Sequence, residues 1–390
     1  MNTLAQIDSC RDELIAWRRD LHAHPELAYE ERRTAGLIAE RLRALGLKVH
    51  EGLAKTGVVG TLSSGAGPAV GLRADMDALP LLETNGFAHR SRFAGKMHAC
   101  GHDGHMVMLL GAARYLAEHR GFDGTIHFIF QPAEEAAGGA KVMMEDGLFE
   151  RFPVDAVFGM HNWPGLPAGS FAMRPGPIMA SLDRFDIRIE GKGGHGALPH
   201  ESIDPVVAAA HVVTALQSIV SRNVDPLRSA VVSVTKIHAG DAYNIIPERV
   251  DLGGGIRCFE PAVRAAVKSR LAQIAAGVAS AYGARAAVEF GPANPAVINT
   301  PAATTLAARV AGEIVGVDHV ATDCAPVLAS EDFAFMLEKR PGCYVFIGNG
   351  GVEGGCTIHN SSYDFNDEIL TLGATYWVHL ARAFLSSHLA

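Results

Sequence analysis

A chain of 390 residues exceeds what one hydrophobic core usually organises, so two domains are expected. With 48% apolar and 19% charged residues and scattered Gly and Pro, the composition is that of an ordinary globular protein and excludes extended disorder. A formal net charge of -8, with no clustering of Lys and Arg, removes the electrostatic basis for binding nucleic acid.

The segment from Met1 to Arg19 carries Asp8, Arg11, Asp12, Glu13 and Arg18 among its apolar residues, so it lacks the unbroken apolar core of an export signal. Ile7, Leu14, Trp17 and Leu21 are spaced as on one face of an amphipathic helix. A second helix is predicted over 34–45, ending at Gly46, and the apolar runs at 58–62 and 69–74, bounded by Gly, read as strands. Helix 104–118, strand 125–130, helix 138–147 and strand 155–160 continue the alternation, which predicts an α/β domain with a mostly parallel sheet covered by helices. Between 181 and 290 the order becomes strand 184–190, helix 204–221, strands 230–237 and 250–258, helix 261–282 and strand 286–290. This β-α-β-β-α-β order predicts an inserted α+β domain of ferredoxin-like type. After Pro292 and Pro295 the first pattern resumes with helix 301–315 and strand 343–347. The expected division is therefore 1–180 with 291–390 as one domain and 181–290 as the insertion. The longest apolar stretch, 206–220, contains His211, Thr214, Gln217 and Ser218 and is too short and polar to span a bilayer. Six widely spread cysteines without a CxxC pair argue against a disulfide framework and fit a reducing cytoplasm.

Five clusters carry chemistry, most of them at predicted strand ends, where open α/β sheets bind ligands. Arg73-Ala74-Asp75-Met76-Asp77 brings acidic residues out of a buried strand, which a solvated turn would explain equally well. His98-Ala99-Cys100-Gly101-His102-Asp103-Gly104-His105 concentrates thiol, imidazole and carboxylate just before an apolar helix, and Gly101 would let Cys100 and His102 turn toward one ion. Nucleophilic catalysis by Cys100 is the rival use, and it leaves the other clusters without a role. Glu134 and Glu135, adjacent at the end of strand 125–130, repel one another unless a cation or shared proton offsets the cost. His161 follows strand 155–160 and His359 lies near the C-terminus; each alone is more often structural, and their weight is joint.

In chain order, HACGHDGH, QPAEE, MHNWP, GKGGHGALPH, NIIP and IHNSS resemble the M20 metallopeptidase family, and within it the amidohydrolase branch that includes hippurate hydrolases, N-acyl-amino acid deacetylases and auxin-conjugate hydrolases. The resemblance runs from about His22 to Phe365. It implies two divalent metal ions (Mn, Zn, Ni or Co) held by Cys100, His102, Glu135, His161 and His359, with Glu134 as general base. It further implies that His195 stabilises the tetrahedral intermediate and that Asn244 and Arg257 hold the carboxylate of a small N-acyl amino acid. Other members of the wider family carry a His-x-Asp ligand motif where this chain has Arg73-Ala74-Asp75; Asp75 is then expected beside the ligands rather than among them.

The inserted domain is also expected to act as lid and dimerisation element, and the same resemblance implies that His195 completes the active site of the partner chain in a homodimer. Two other readings stand beside the amidohydrolase. A dipeptidase or aminopeptidase-like hydrolase would use the same centre, whereas a catalytically silent binding protein would need the ligands but no Glu134.

Overall fold

Strands that are apolar on both sides of the backbone must be covered on both faces, and four such strands make the centre of the larger unit. In the computed structural model, which describes residues 3–135, 138–351 and 357–387, these are Ala69–Asp75, Gly124–Gln131, Ala156–Pro164 and Gly342–Gly350, buried along nearly their whole length. They run parallel in the order Gly124–Gln131, Ala69–Asp75, Ala156–Pro164, Gly342–Gly350. Antiparallel strands Lys48–Leu53 and Gly57–Ser64 extend one side, and the short strands Phe171–Ala172 and Val320–Ala321 complete the eight-stranded sheet on the other. The expected mostly parallel α/β sheet is thus present, with mixed edges.

Helices Arg11–Ala23, His102–Glu118, Pro301–Val315 and Leu370–Ser386 pack with this sheet around one core that includes Leu14, Leu72, Val107, Phe128, Val345 and Trp377. Leu370–Ser386 has no counterpart in the sequence reading, although Leu370, Ala374, Trp377, Ala381 and Phe384 have helical spacing and are buried. The first expected helix is broken into Thr3–Asp8 and Arg11–Ala23; at the break the Ser9 hydroxyl donates to Gln6 O at 2.6 Å, a local bond that competes with helix continuation. Two boundaries matter for the site: the helix expected at 104 begins at His102, and the strand expected to stop at 160 continues to Pro164, so His161 and Asn162 lie within it.

The second unit comprises Met179–Val297 together with Pro326–Glu331, the latter a short segment that nothing in the sequence marks. Its antiparallel sheet has the order Ala230–Ala239, Arg249–Cys258, Leu182–Glu190, Arg285–Asn294, the ferredoxin-like arrangement. Phe185, Ile187 and Ile189 alternate with charged residues along Leu182–Glu190, and this apolar face packs with Ala208, Val212 and Leu216 of helix Pro205–Leu216 and Val267 and Leu271 of helix Pro261–Ala281. The helix expected to reach 221 ends at Leu216 and passes into a π-helical turn, Ile219–Asn223. Among the described residues no helix is long and apolar enough to cross a membrane, and the cysteines are free; Cys356 lies outside the described residues.

Candidate metal centre and active site

Parallel strands end together, so their following residues share one rim of the sheet, and in the larger unit that rim gathers the candidate side chains. Asp75 ends its strand, Gln131 ends another two residues before Ala133, and His161 sits near the end of a third. Cys100 and His102 flank Gly101, which has a left-handed backbone (φ 90°). A Cβ there would lie 2.2 Å from Asn162 Nδ2 and 2.5 Å from the Tyr363 hydroxyl, so only glycine lets the chain turn into helix His102–Glu118 at this point.

The ligating atoms converge in overlapping sets. Cys100, His102 and His161 form one, Cys100, Glu135 and His359 a second, and His102, Glu134 and Glu135 a third, the atoms of each set lying within 4.8 Å of one another. Cys100 Sγ is 3.3 Å from His161 Nε2, and His359 Nε2 is 3.2 Å from Glu135 Oε1. His359 has a left-handed backbone (φ 62°), and its N–H donates to Ala99 O at 2.7 Å, which ties this late loop to the cysteine segment.

Surrounding groups fix which nitrogen each imidazole presents. His102 Nδ1–H donates to Asp77 O at 2.8 Å, and His161 Nδ1–H donates to Asn162 O at 2.6 Å, leaving both Nε2 atoms to face the cluster. His105 is different: its Nδ1–H donates to Asp75 Oδ1 at 2.6 Å, and its Nε2 accepts the Asn162 N–H at 3.0 Å. Although Asp75, His102 and His105 also form a compact set, His105 has both nitrogens committed. Asp75 shares its other oxygen with Arg73 at 2.8 Å, and Arg73 in turn donates to Gln131 Oε1. Asn162 completes the frame by donating to Cys100 O at 2.7 Å and accepting from the Tyr363 hydroxyl at 2.7 Å.

Electrostatics make this a place that draws positive charge. Burial, then the neighbouring Glu135, Glu134 and Asp75, pushes the Cys100 thiol well above its ordinary value, so a thiolate requires a cation beside it. Burial works against charge on His102, yet Asp75, Asp77 and Glu135 outweigh it and raise the imidazole to about 10. Burial and the nearby His105 hold His161 well below its ordinary value, which keeps its lone pair available. Among the described residues His102 Nε2 is buried with no hydrogen-bond partner, and with the proton on Nδ1 its lone pair is one that a divalent ion would satisfy. Thiolate, imidazole and carboxylate together suit borderline divalent metals.

Sequence reasoning left two carboxylates without a role. Asp77 is buried, and its two oxygens accept the Glu134 and Glu135 N–H groups, each at 3.0 Å. Glu31 is buried as well and accepts the Ala133 N–H at 2.9 Å. Asp77 is visible in the sequence only as one more acid after a strand, and Glu31 as one of two consecutive glutamates; neither pattern announces a buried acceptor.

The remaining candidates belong to the second unit. His195 and Asn244 are neighbours there: Ile245 pairs with His195 in a two-stranded ribbon, and the Gly196 N–H donates to Asn244 O at 2.8 Å. Both are exposed. Arg257 lies on strand Arg249–Cys258, donates to Leu328 O at 3.0 Å, and has burial and then Arg184 acting against its charge.

Comparison with known proteins gives consistent matches along the chain. The family profile described as peptidase family M20/M25/M40 matches residues 71–383. A hippurate hydrolase of Campylobacter jejuni is 42% identical over 386 residues, covering 99% of this chain and 100% of that protein. An N-acetylcysteine deacetylase of Bacillus subtilis is 40% identical over 371 residues, covering 94% of this chain and 96% of the other. Among solved structures, the YXEP protein of Bacillus subtilis, described as a dinuclear metal binding peptidase from the M20 family, superposes with a TM-score of 0.85 at 36% identity, covering 97% of this chain and 99% of that one.

Proposed function

Since the chain belongs to peptidase family M20/M25/M40 and is a hydrolase acting on amide bonds, we propose that it hydrolyses small N-acyl amino acids, such as N-acetyl or N-benzoyl derivatives, to a carboxylic acid and a free amino acid. The observation that carries this reading is the pair Glu134 and Glu135, whose peptide N–H groups are held by one carboxylate at the edge of the Cys100, His102, His161 and His359 cluster. Adjacent acids so placed divide naturally into a ligand and a base.

Cys100, His102, Glu135, His161 and His359 would hold two divalent ions, Mn, Zn, Ni or Co, whose bound state supplies Lewis acidity toward the scissile carbonyl and toward water. Glu134 accepts the proton of the attacking water and delivers it to the leaving amine nitrogen. We assign His195 to the developing oxyanion and Asn244 and Arg257 to the substrate carboxylate, for which a guanidinium fork is suited. Asp75 acts on the ligands from behind, through His105 and Arg73. The reading includes a cytoplasmic location, in keeping with the free cysteines of the described residues. A silent binding protein would have no use for Glu134.

The direct test is to reconstitute the protein with each metal and assay N-acetyl, N-benzoyl and indoleacetyl amino acids beside unblocked dipeptides. At least one acyl series should turn over with kcat/KM about a hundredfold or more above the dipeptides. Faster hydrolysis of free dipeptides would replace this reading by the peptidase one.

We further propose a homodimer in which the second unit supplies His195 to the partner's site. Its basis is the ferredoxin-like insertion, whose strand Ala230–Ala239 lies at a sheet edge, and the exposed His195 on a glycine-rich loop. Mixing inactive E134Q and H195A under subunit exchange should restore about a quarter of native activity, because half the dimers are mixed and each has one intact site. Demonstrated exchange without recovery would assign His195 to its own chain.

A further inference from the structure

Three successive backbone N–H groups follow strand Gly124–Gln131, and each is received by a buried carboxylate. Ala133 donates to Glu31 Oε1 at 2.9 Å, Glu134 to Asp77 Oδ1 and Glu135 to Asp77 Oδ2, both at 3.0 Å. Glu31 is fixed from its other side by the Thr56 hydroxyl, which donates to Oε2 at 2.7 Å. Ala133 itself has a left-handed backbone (φ 56°), a conformation that is strained for a residue with a Cβ and persists only where surroundings enforce it. Glu31 and Thr56 reach the loop from outside the sheet rim, Glu31 from the residue before helix Arg32–Ala44 and Thr56 from the turn before strand Gly57–Ser64.

From this arrangement we infer that Glu31 is a positioning residue for hydrolysis: through the Ala133 N–H it holds the turn that aims Glu134. The inference rests on the base role proposed for Glu134. Among the described residues the Glu31 carboxylate bonds to Thr56 and Ala133, neither of them a candidate ligand, so its influence on the reaction runs through the backbone of residue 133. Two charged groups buried so close together are unusual unless their hydrogen bonds are needed: burial pushes the Glu31 carboxyl up to about 7, against the pull of Thr56 and Ala133, with Asp77 adding to the rise. A carboxylate is nevertheless the group that accepts two hydrogen bonds at once from opposite directions. A glutamine at 31 preserves the geometry in another way, since its carbonyl oxygen accepts from Ala133 while its amide donates to the Thr56 oxygen.

The test compares E31A with E31Q, reading turnover, KM, metal content and hydrogen exchange of the amides of residues 133–135 in the metal-free full-length protein. E31A should exchange these amides about tenfold faster or more and lose about ten- to a hundredfold in kcat, with KM and metal content within about twofold of the parent. E31Q should restore both protection and turnover to within a few-fold. Unchanged exchange or unchanged kcat in E31A overturns the inference, and so does an equal loss in E31Q. If E31A does not accumulate in folded form, T56V, which removes only the second donor to Glu31, should move exchange and kcat several-fold in the same direction; no movement in either overturns it. Failure of the base assignment is separable, because E134Q would then stay active whatever Glu31 does.

Discussion

Glu134→Gln is expected to lower turnover by about two to four orders of magnitude while metal content and KM stay near the parental values. The substitution keeps the volume of the side chain and leaves the backbone bond to Asp77 untouched, so the loop retains its course. What it removes is an oxygen able to take a proton from water and pass it to the departing amine. Position and electrostatic stabilisation from the remaining groups survive, and some catalysis above the uncatalysed rate should therefore remain. Steady-state kinetics combined with elemental analysis of the same sample decide the matter. A fully metallated E134Q with near-parental turnover would take the base role away from Glu134.

Cys100→Ala should be equally damaging by a different route. Cys100 belongs to two of the ligand sets, with His102 and His161 on one side and Glu135 and His359 on the other, so its loss weakens both at once. Loss of a partner one layer out from a metal commonly costs about 10–100-fold in affinity, and loss of a shared ligand should cost at least that. The variant is expected to retain less than one ion per chain after dialysis and to lose activity in proportion. Chelation of the parent should abolish activity, and readdition of a suitable divalent ion should restore it. An active chain shown by elemental analysis to contain no metal would overturn the proposed chemistry.

Much of the architecture is written in patterns that one sequence displays. Strands Ala156–Pro164 and Gly342–Gly350 announce themselves by the apolar runs that open them, and the insertion by its change of order. The candidate centre was legible for a related reason: thiol, imidazoles and paired acids stand out against an apolar background, and the structure brings Cys100, His102, Glu135, His161 and His359 to one rim. What stayed hidden depends on direction rather than identity. Nothing in the spacing distinguishes His105, which turns to Asp75 and Asn162, from His102, whose Nε2 faces the cluster. Asp77 and Glu31 act through backbone N–H groups, and those carry no residue type to read. Helix Leu370–Ser386 is different in kind: the helical spacing of Leu370, Ala374, Trp377, Ala381 and Phe384 was there to be read and was missed.

Leu182 and Asn294 are register partners on adjacent antiparallel strands, so the chain enters and leaves the second unit's sheet at the same place. Closing an unstructured loop of roughly a hundred residues would cost ~3 kcal/mol more than closing one of about four, by the logarithmic dependence on length. A folded insertion with neighbouring ends avoids most of that penalty: to the rest of the polypeptide it is topologically equivalent to a tight hairpin. A large part of the long sequence separation between Gln131 and His359 is this insertion, and that part adds little to the cost of bringing the two together.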